Sequence, residues 1–309
     1  MANLADEQRP YFLTDPGGAA GPFVFSSPHS GRDYTPEFRK QSQLDDRALR
    51  LSEDCYVDQL FQAAPDMGAA LISARFPRAY VDVNREPYEL DPAMFADRLP
   101  VYANTDSERV RSGLGTIARI VSMGRDIYDH KLVYAEESAR INGIHKPYHR
   151  ALSALLDRAR EKHGWAVLID CHSMPSFPGA YGGATGPSLA PAIWARRRDG
   201  EEPDIVLGDR FGTSCNLELT IALESAFRER GYKVSRNVPY AGGYCTVRYG
   251  APSRNLHAIQ IEISRRLYMC ENTLRKKRSL FDRLQRDLTG IIGGVTRMDL
   301  AGRRPLAAE

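Results

Sequence analysis

"WAVLIDCHSMP" (165–175) decides how this chain is read. "WAVLID" is an apolar run of strand length, consistent with a buried strand, and the polar cluster "DCHSMP" follows it directly. The ends of strands are where open α/β sheets present catalytic and ligand-binding groups. Working outward, "FVFSS" (23–27), "AALISA" (69–74), "AYVDV" (79–83) and "HAIQIEIS" (257–264) also read as strands. A helix is expected over 52–68, capped by Ser52, with Tyr56, Val57, Leu60, Phe61 and Ala64 at helical spacing and Gly68 after its end. Further helices are expected over 129–164, interrupted near Gly143 and Pro147, from 216 towards 231, and through 272–294. This alternation predicts an α/β sheet with helices on both faces. With no internal repeat and no linker, residues 1–309 are expected to form one domain, and the loop-rich segment 86–116 is the place for an insertion or lid.

The composition narrows the function classes. Hydrophobic residues make up 42% and charged residues 26% of the 309, enough for a sizeable core. A net charge of only +3, from 42 basic and 39 acidic residues, argues against a nucleic-acid binder. The basic run "WARRRDG" (194–200) is cancelled by the adjoining "DGEEPD" and reads as a solvated surface loop. No apolar stretch is long enough to span a bilayer, and "MANLADEQRPYF" lacks the apolar core of a signal peptide. The five cysteines show no CxxC spacing, which fits reduced thiols. The expectation is a soluble cytoplasmic protein without membrane or nucleic-acid partners.

Three polar clusters fall at predicted strand ends: His29 in "SPHSGRDY", "DVNR" (82–85) and His172 in "DCHSMP". Two histidines and an arginine drawn to one sheet edge point to a metal site, and catalytic zinc commonly takes three protein ligands. No Glu stands three residues after His29, so a compact HxxE pair is absent. Glu53 and Asp54, at the expected helix start, are the nearest carboxylates, although acids there also serve the helix dipole. Cys171 and His172 are adjacent in an extended segment and face opposite ways, so they form no nucleophile–base dyad. In "AIQIEIS", Ile259, Ile261 and Ile263 share one face while Gln260 and Glu262 share the other. Glu262 is either a polar residue on the wet face of an edge strand or a general base. The glycine-rich "PYAGGYCTVRYG" (239–250), with Tyr240, Tyr244, Arg248 and Tyr249, and the stretch 175–190 read as loops near a site. Tyr148 and His149 in "KPYHRAL" read as packing at a helix start.

Taken together, "SPHSG", "EDCYVDQL", "RAYVDVNR", "GLGTIAR", "PYHRAL", "DCHSMP" and "IQIEISRRLYM" resemble the N-formylglutamate amidohydrolase family, in the family's order and from about residue 22 to 285. The resemblance implies a three-layer αβα sandwich around a mixed central sheet, as in zinc carboxypeptidase-like and aspartoacylase-like hydrolases. It implies Zn2+ held by His29, His172 and a carboxylate, matched to Asp54 in preference to Glu53 or Asp58. It implies Glu262 as the catalytic carboxylate and Arg78 as the group that polarises the scissile carbonyl. Asn84 and Arg85 match an Asn-Arg pair that grips a substrate carboxylate, and Arg248 is a further candidate for that task. The small-molecule reaction implied is hydrolysis of N-formyl-L-glutamate to formate and glutamate, in histidine degradation. A related deacylase or carboxypeptidase, or a non-catalytic binder of acidic amino acids, is the alternative.

Overall fold

The computed structural model describes residues 9–121, 124–176 and 202–300. Its centre is a seven-stranded mixed sheet in the order β1-β3-β2-β6-β9-β7-β8. The strands are β1 (Tyr11–Thr14), β2 (Phe23–Ser27), β3 (Ala70–Ala74), β6 (Ala166–Met174), β7 (Ile205–Gly208), β8 (Val234–Arg236) and β9 (Leu256–Ser264). Strands β3, β2, β6 and β9 run parallel, while β1 and β7 pair antiparallel with β3 and β9. Two small hairpins lie apart from it, β4–β5 (Ile120–Val121, Arg125–Asp126) and β10–β11 (Met269–Cys270, Arg275–Lys276).

The period-two alternation of the strands builds two cores. Phe23, Phe25, Val167, Ile169, Cys171, Ile259, Ile261 and Ile263 pack with the helices Val57–Leu60, Leu217–Arg228 and Arg278–Val295. Val24, Ala166, Leu168 and Ala258 face the other way, with Phe38, Leu49 and the Lys146–His163 helix through Tyr148, Leu152, Leu155 and Leu156. Helices therefore cover both faces, as the alternation of segments predicts. The strands expected at 23–27, 69–74 and 257–264 form, as does the helix expected from 216; the strand expected over 165–170 runs on to Met174, so His172 lies within β6 rather than after its end.

Several local expectations are corrected. Residues 52–68 do not form one helix: only Val57–Leu60 and a 3-10 turn at Pro65–Met67 are helical, and Tyr56 takes a left-handed φ of 67°. Tertiary hydrogen bonds override the helical propensity. The Asp54 N–H donates to the His29 carbonyl at 2.9 Å, and Arg265 donates to the carbonyls of Leu51 and Glu53 at 3.3 and 2.7 Å. Asp54 is thus not a helix-dipole acid. "AYVDV" is a series of turns with no strand partner, its Asp82 N–H donating to the Thr116 carbonyl at 2.8 Å. Strand β9 is interior, between β6 and β7, so Glu262 lies on no wet edge. The last helix begins at Arg278, after the β10–β11 hairpin.

The interruption near Gly143 and Pro147 is a π turn, Ile141–His145, joining the helices Tyr134–Arg140 and Lys146–His163. Within 86–116, Leu90, Met94, Phe95 and Val110 are buried. "WARRRDG" and almost all of 175–190 lie outside the described residues.

Candidate active site

The parallel strands deliver their polar clusters to one edge of the sheet. His29 follows β2, held by a turn in which Gly31 packs against the Phe76 carbonyl so closely that any Cβ would collide. His172 belongs to the last turn of side chains on β6, and Glu262 lies opposite it in the register of β9. Asp54 arrives from the broken segment before Val57. The ligand atoms of His29, Asp54 and His172 all lie within 4.8 Å of one another, and all three residues are buried.

Within this group, Asp54 Oδ2 is 3.0 Å from His172 Nδ1 and 3.4 Å from His29 Nδ1. The other nitrogen of each ring meets a second carboxylate: His29 Nε2 lies 2.7 Å from Asp82 Oδ1, and His172 Nε2 lies 3.0 Å from Asp170 Oδ2. Asp82 makes Nε2 the protonated nitrogen of His29 and turns its Nδ1 lone pair inward, whereas His172 meets a carboxylate at each ring nitrogen. Among the described residues His29 Nδ1 is buried with no hydrogen-bond partner, as a metal-ligating nitrogen would be. Burial opposes charge on His172, but Asp170 and Asp54 outweigh it and push its pKa well above the usual histidine range. Burial likewise opposes the Asp54 carboxylate, yet His172 and His29 hold it well below the usual range. Positive charge is favoured between these side chains. Two imidazole nitrogens and one carboxylate oxygen are a donor set that suits zinc, so the group could hold a metal ion.

The alternatives to Asp54 are used elsewhere. Glu53 is buried but accepts from Tyr34 Oη at 2.6 Å and Arg50 Nε at 3.1 Å, with Cys55 Sγ at 3.1 Å. Asp58 pairs with Arg32 at 3.0 Å. Asp54 Oδ1 is in turn held by Ser173 Oγ at 3.1 Å and Arg265 at 3.2 Å.

Glu262 is buried beside the group, and its Oε1 accepts from Gln260 Nε2 at 2.7 Å. Burial pushes its carboxyl up to about 7; His172 opposes the shift and Asp54 adds to it. Arg78 donates to Asp82 Oδ2 at 2.7 Å, and its field reaches Asp54 and Glu262. Cys171 sits in the opposite core, where burial and Asp170 push its thiol far up, which agrees with the absence of a dyad.

Two expected substrate-binding groups are turned mostly inward. Asn84 Oδ1 accepts from the Cys245 N–H at 2.8 Å, and Nδ2 approaches Asp170 Oδ2 at 3.3 Å and His172 Nε2 at 3.1 Å. Gly243 lies so near that a Cβ would meet Asn84 Nδ2 at 2.6 Å. Arg85 donates to the Leu114 and Asn84 carbonyls at 2.9 and 2.7 Å, leaving its second terminal nitrogen 3.7 Å from Asp82. Arg248 is exposed, lies over the rings of Tyr244 and Tyr249 at 5.9 and 5.5 Å, and donates to Tyr244 Oη at 3.3 Å.

Several members of the site carry little sequence signal. Asp170 is two residues before His172 on the same strand, so alternation alone could have placed both on one face. Arg265 opens the 3-10 turn Arg265–Leu267 after β9, and Tyr240 lies in the loop before the Tyr244–Tyr249 helix, where no period helps. Burial and the Glu262 charge push the Tyr240 phenol far up, with Arg265 opposing and Asp54 adding, so Tyr240 belongs to this cluster.

Residues 21–269 match the family model described as N-formylglutamate amidohydrolase. The chain is 29% identical over 253 residues to N-formylglutamate deformylase of Pseudomonas putida, spanning 81% of this chain and 82% of that protein. The enzyme of that name from Pseudomonas aeruginosa is equally similar, with 81% and 83% covered. Among solved structures, N-formylglutamate amidohydrolase from Ralstonia eutropha JMP134 matches with a TM-score of 0.84 at 36% identity, covering 95% of this chain and 99% of that one. A gene product of Agrobacterium tumefaciens shares the fold at 19% identity, with a TM-score of 0.63 over 94% and 95% of the two chains. The matched span starts just ahead of β2, ends at the first residue of β10, and contains every side chain of the buried cluster, so this chain belongs to the N-formylglutamate amidohydrolase family.

Proposed function

We propose that this protein is a zinc-dependent amidohydrolase that cleaves N-formyl-L-glutamate to formate and L-glutamate. The observation that carries this reading is the buried His29–Asp54–His172 group with Glu262 opposite His172. In this reading His29 Nδ1, His172 Nδ1 and an Asp54 oxygen hold the zinc. Zinc bound there supplies Lewis acidity, which makes water a usable nucleophile near neutral pH.

Glu262 takes a proton from the attacking water as its oxygen adds to the formyl carbon. It returns that proton to the amine nitrogen as the C–N bond breaks. A carboxyl whose pKa stands near the working pH is suited to both transfers. Arg78, oriented by Asp82, aims its remaining N–H groups at the charge that develops on the formyl oxygen. Arg85 and Arg248 attract the two carboxylates of the substrate. Asn84, with both halves of its amide engaged, we assign to holding Asp170, and through it His172. The same chemistry would end one route of histidine degradation. The five unpaired cysteines fit a reducing cytoplasm, and no helix among the described residues is long and apolar enough to cross a membrane.

The test is a panel of N-formyl and N-acetyl amino acids with the metal-loaded protein. N-formylglutamate should be turned over far better than N-formylleucine or N-acetylglutamate. Equal rates across the panel, or a preference for a peptide, would move the protein to another deacylase or carboxypeptidase specificity.

A further inference from the structure

The helix packed against the site carries two histidines that the chemistry above does not use. His145 and His149 are four residues apart, on one face, with ring centroids 4.4 Å apart, and both are buried. His145 closes the π turn Ile141–His145, and Pro147 follows in the next turn. Proline offers no N–H to the Gly143 carbonyl, and the wider turn accommodates that missing bond.

Each ring meets a backbone carbonyl of the segment that carries Asn84. His149 Nε2 is 2.7 Å from the Val83 oxygen, and His145 Nε2 is 2.8 Å from the Arg85 oxygen. A carbonyl only accepts, so Nε2 carries the proton in both rings. His149 Nδ1 then accepts from Tyr249 Oη at 2.8 Å, while His145 Nδ1 is buried with no hydrogen-bond partner among the described residues. The two carbonyls flank Asn84, whose own N–H donates to Asp82 Oδ1 at 2.8 Å. Asp82 meets His29, and Asn84 meets Asp170 and His172. One short stretch of backbone therefore touches the outer partners of both candidate metal-ligating histidines.

We infer that His145 and His149 are positioning residues: their Nε2–H groups clamp the Val83 and Arg85 carbonyls and so set Asp82 and Asn84 against His29 and His172. The inference rests on the proposed reading of that group as a metal site. Their effect on the site passes through the Val83–Arg85 loop. Burial keeps both neutral, pushing His145 down to about 4 and His149 to about 3, with His145 adding to the shift at His149.

The test compares His145→Leu, which removes the donor, with His145→Gln, which keeps an N–H at a similar reach and gives up no hydrogen bond at Nδ1. Two readouts are taken: hydrogen exchange of the peptide spanning 82–86, and zinc affinity by chelator competition. Loss of the hydrogen-bond partner of a metal-ligating histidine typically costs about 10–100-fold in metal affinity, and His145 stands one contact beyond such a partner. His145→Leu should speed exchange in 82–86 and weaken zinc by roughly tenfold, the lower end of that range, with strand β6 unchanged. His145→Gln should restore both to within a few-fold of wild type. If the Leu variant does not fold, His145→Phe, closer in shape and equally without a donor, takes its place.

A Gln variant as impaired as Leu, or a Leu variant with unchanged exchange at 82–86, overturns the inference. Failure of the wild type to hydrolyse formylglutamate would sink the proposed substrate and leave both readouts intact. A wild type that binds no zinc would sink the metal reading, and the exchange comparison would still decide the clamp.

Discussion

His172 and Glu262 face each other across the neighbouring parallel strands β6 and β9, on the side of the sheet opposite Cys171 and Ile261. A candidate metal-ligating imidazole and a carboxyl that burial pushes up to about 7 are thereby held by two buried nine-residue interior strands. Glu262→Gln should keep fold and metal, because the amide is isosteric and its oxygen still accepts from Gln260. Its kcat should fall by about 10²–10⁴-fold, the usual cost of losing a general base. Single-turnover kinetics with a metal assay will check this; a variant within a few-fold of wild type would return Glu262 to a passive role.

The metal assignment separates Asp54 from its neighbour. His172→Ala and Asp54→Ala should each lose zinc and activity together, measured by elemental analysis. Glu53→Ala should retain zinc while losing about 1–3 kcal/mol of stability, because Tyr34, Arg50 and Cys55 would lose their buried acceptor. Full zinc in Asp54→Ala would reverse the assignment.

The pH–rate profile should report Glu262. Only the ionised carboxylate accepts a proton, so kcat/KM should rise with pH on its acid limb, through a pKa at or below about 7. Burial raises that value, and a cation at the His29–Asp54–His172 group would pull it lower by favouring the charged form. Residual activity of Glu262→Gln should lack this limb. An unchanged limb in the variant would assign the titration to another group.

Substrate charge should be read by arginine. Arg248→Ala should narrow the preference for formylglutamate over formylglutamine if its guanidinium meets the side-chain carboxylate. Arg85→Lys should slow both substrates, since an ammonium cannot reproduce the two carbonyl contacts and still reach a carboxylate. Loss of one charge-assisted contact should cost roughly 1.5–3 kcal/mol, or about 10–150-fold in kcat/KM. Unchanged selectivity in Arg248→Ala would remove that residue from the site.

Acid should weaken the fold through the clamp. The folded pKa values of His145 and His149, about 4 and about 3, lie below the unfolded value near 6.5. Their contribution is fully present above about 6.5 and is lost as pH falls towards 4, where the unfolded chain binds protons that the folded chain refuses. Thermal melts from pH 8 to 4.5 should show wild type losing more stability than the His145→Gln/His149→Gln double variant. Parallel curves would place the acid sensitivity elsewhere.

Much of this was legible in local pattern. The apolar runs at 23–27, 69–74 and 165–170, and the isoleucines alternating through 259–263, are governed by the period-two geometry of a strand, and a pattern of that kind survives folding. The same rule put His172 and Glu262 on the faces they occupy, and a strand end marked His29 as a candidate site residue. Where local propensity met a tertiary hydrogen bond, the bond won. Residues 52–68 have a helical pattern, yet Arg265 and the His29 carbonyl hold Leu51–Asp54 out of a helix, and that is how Asp54 reaches the two histidines.

From its own residues, the sequence determined the α/β layering, the strand-end histidines and the acid on β9. Which carboxylate joins the two histidines, that Asn84 approaches Asp170, and that a helix more than fifty residues downstream meets the carbonyls on either side of Asn84 were decided only by tertiary structure. Each depends on where a side chain from a distant segment ends, and no sequence period encodes that distance.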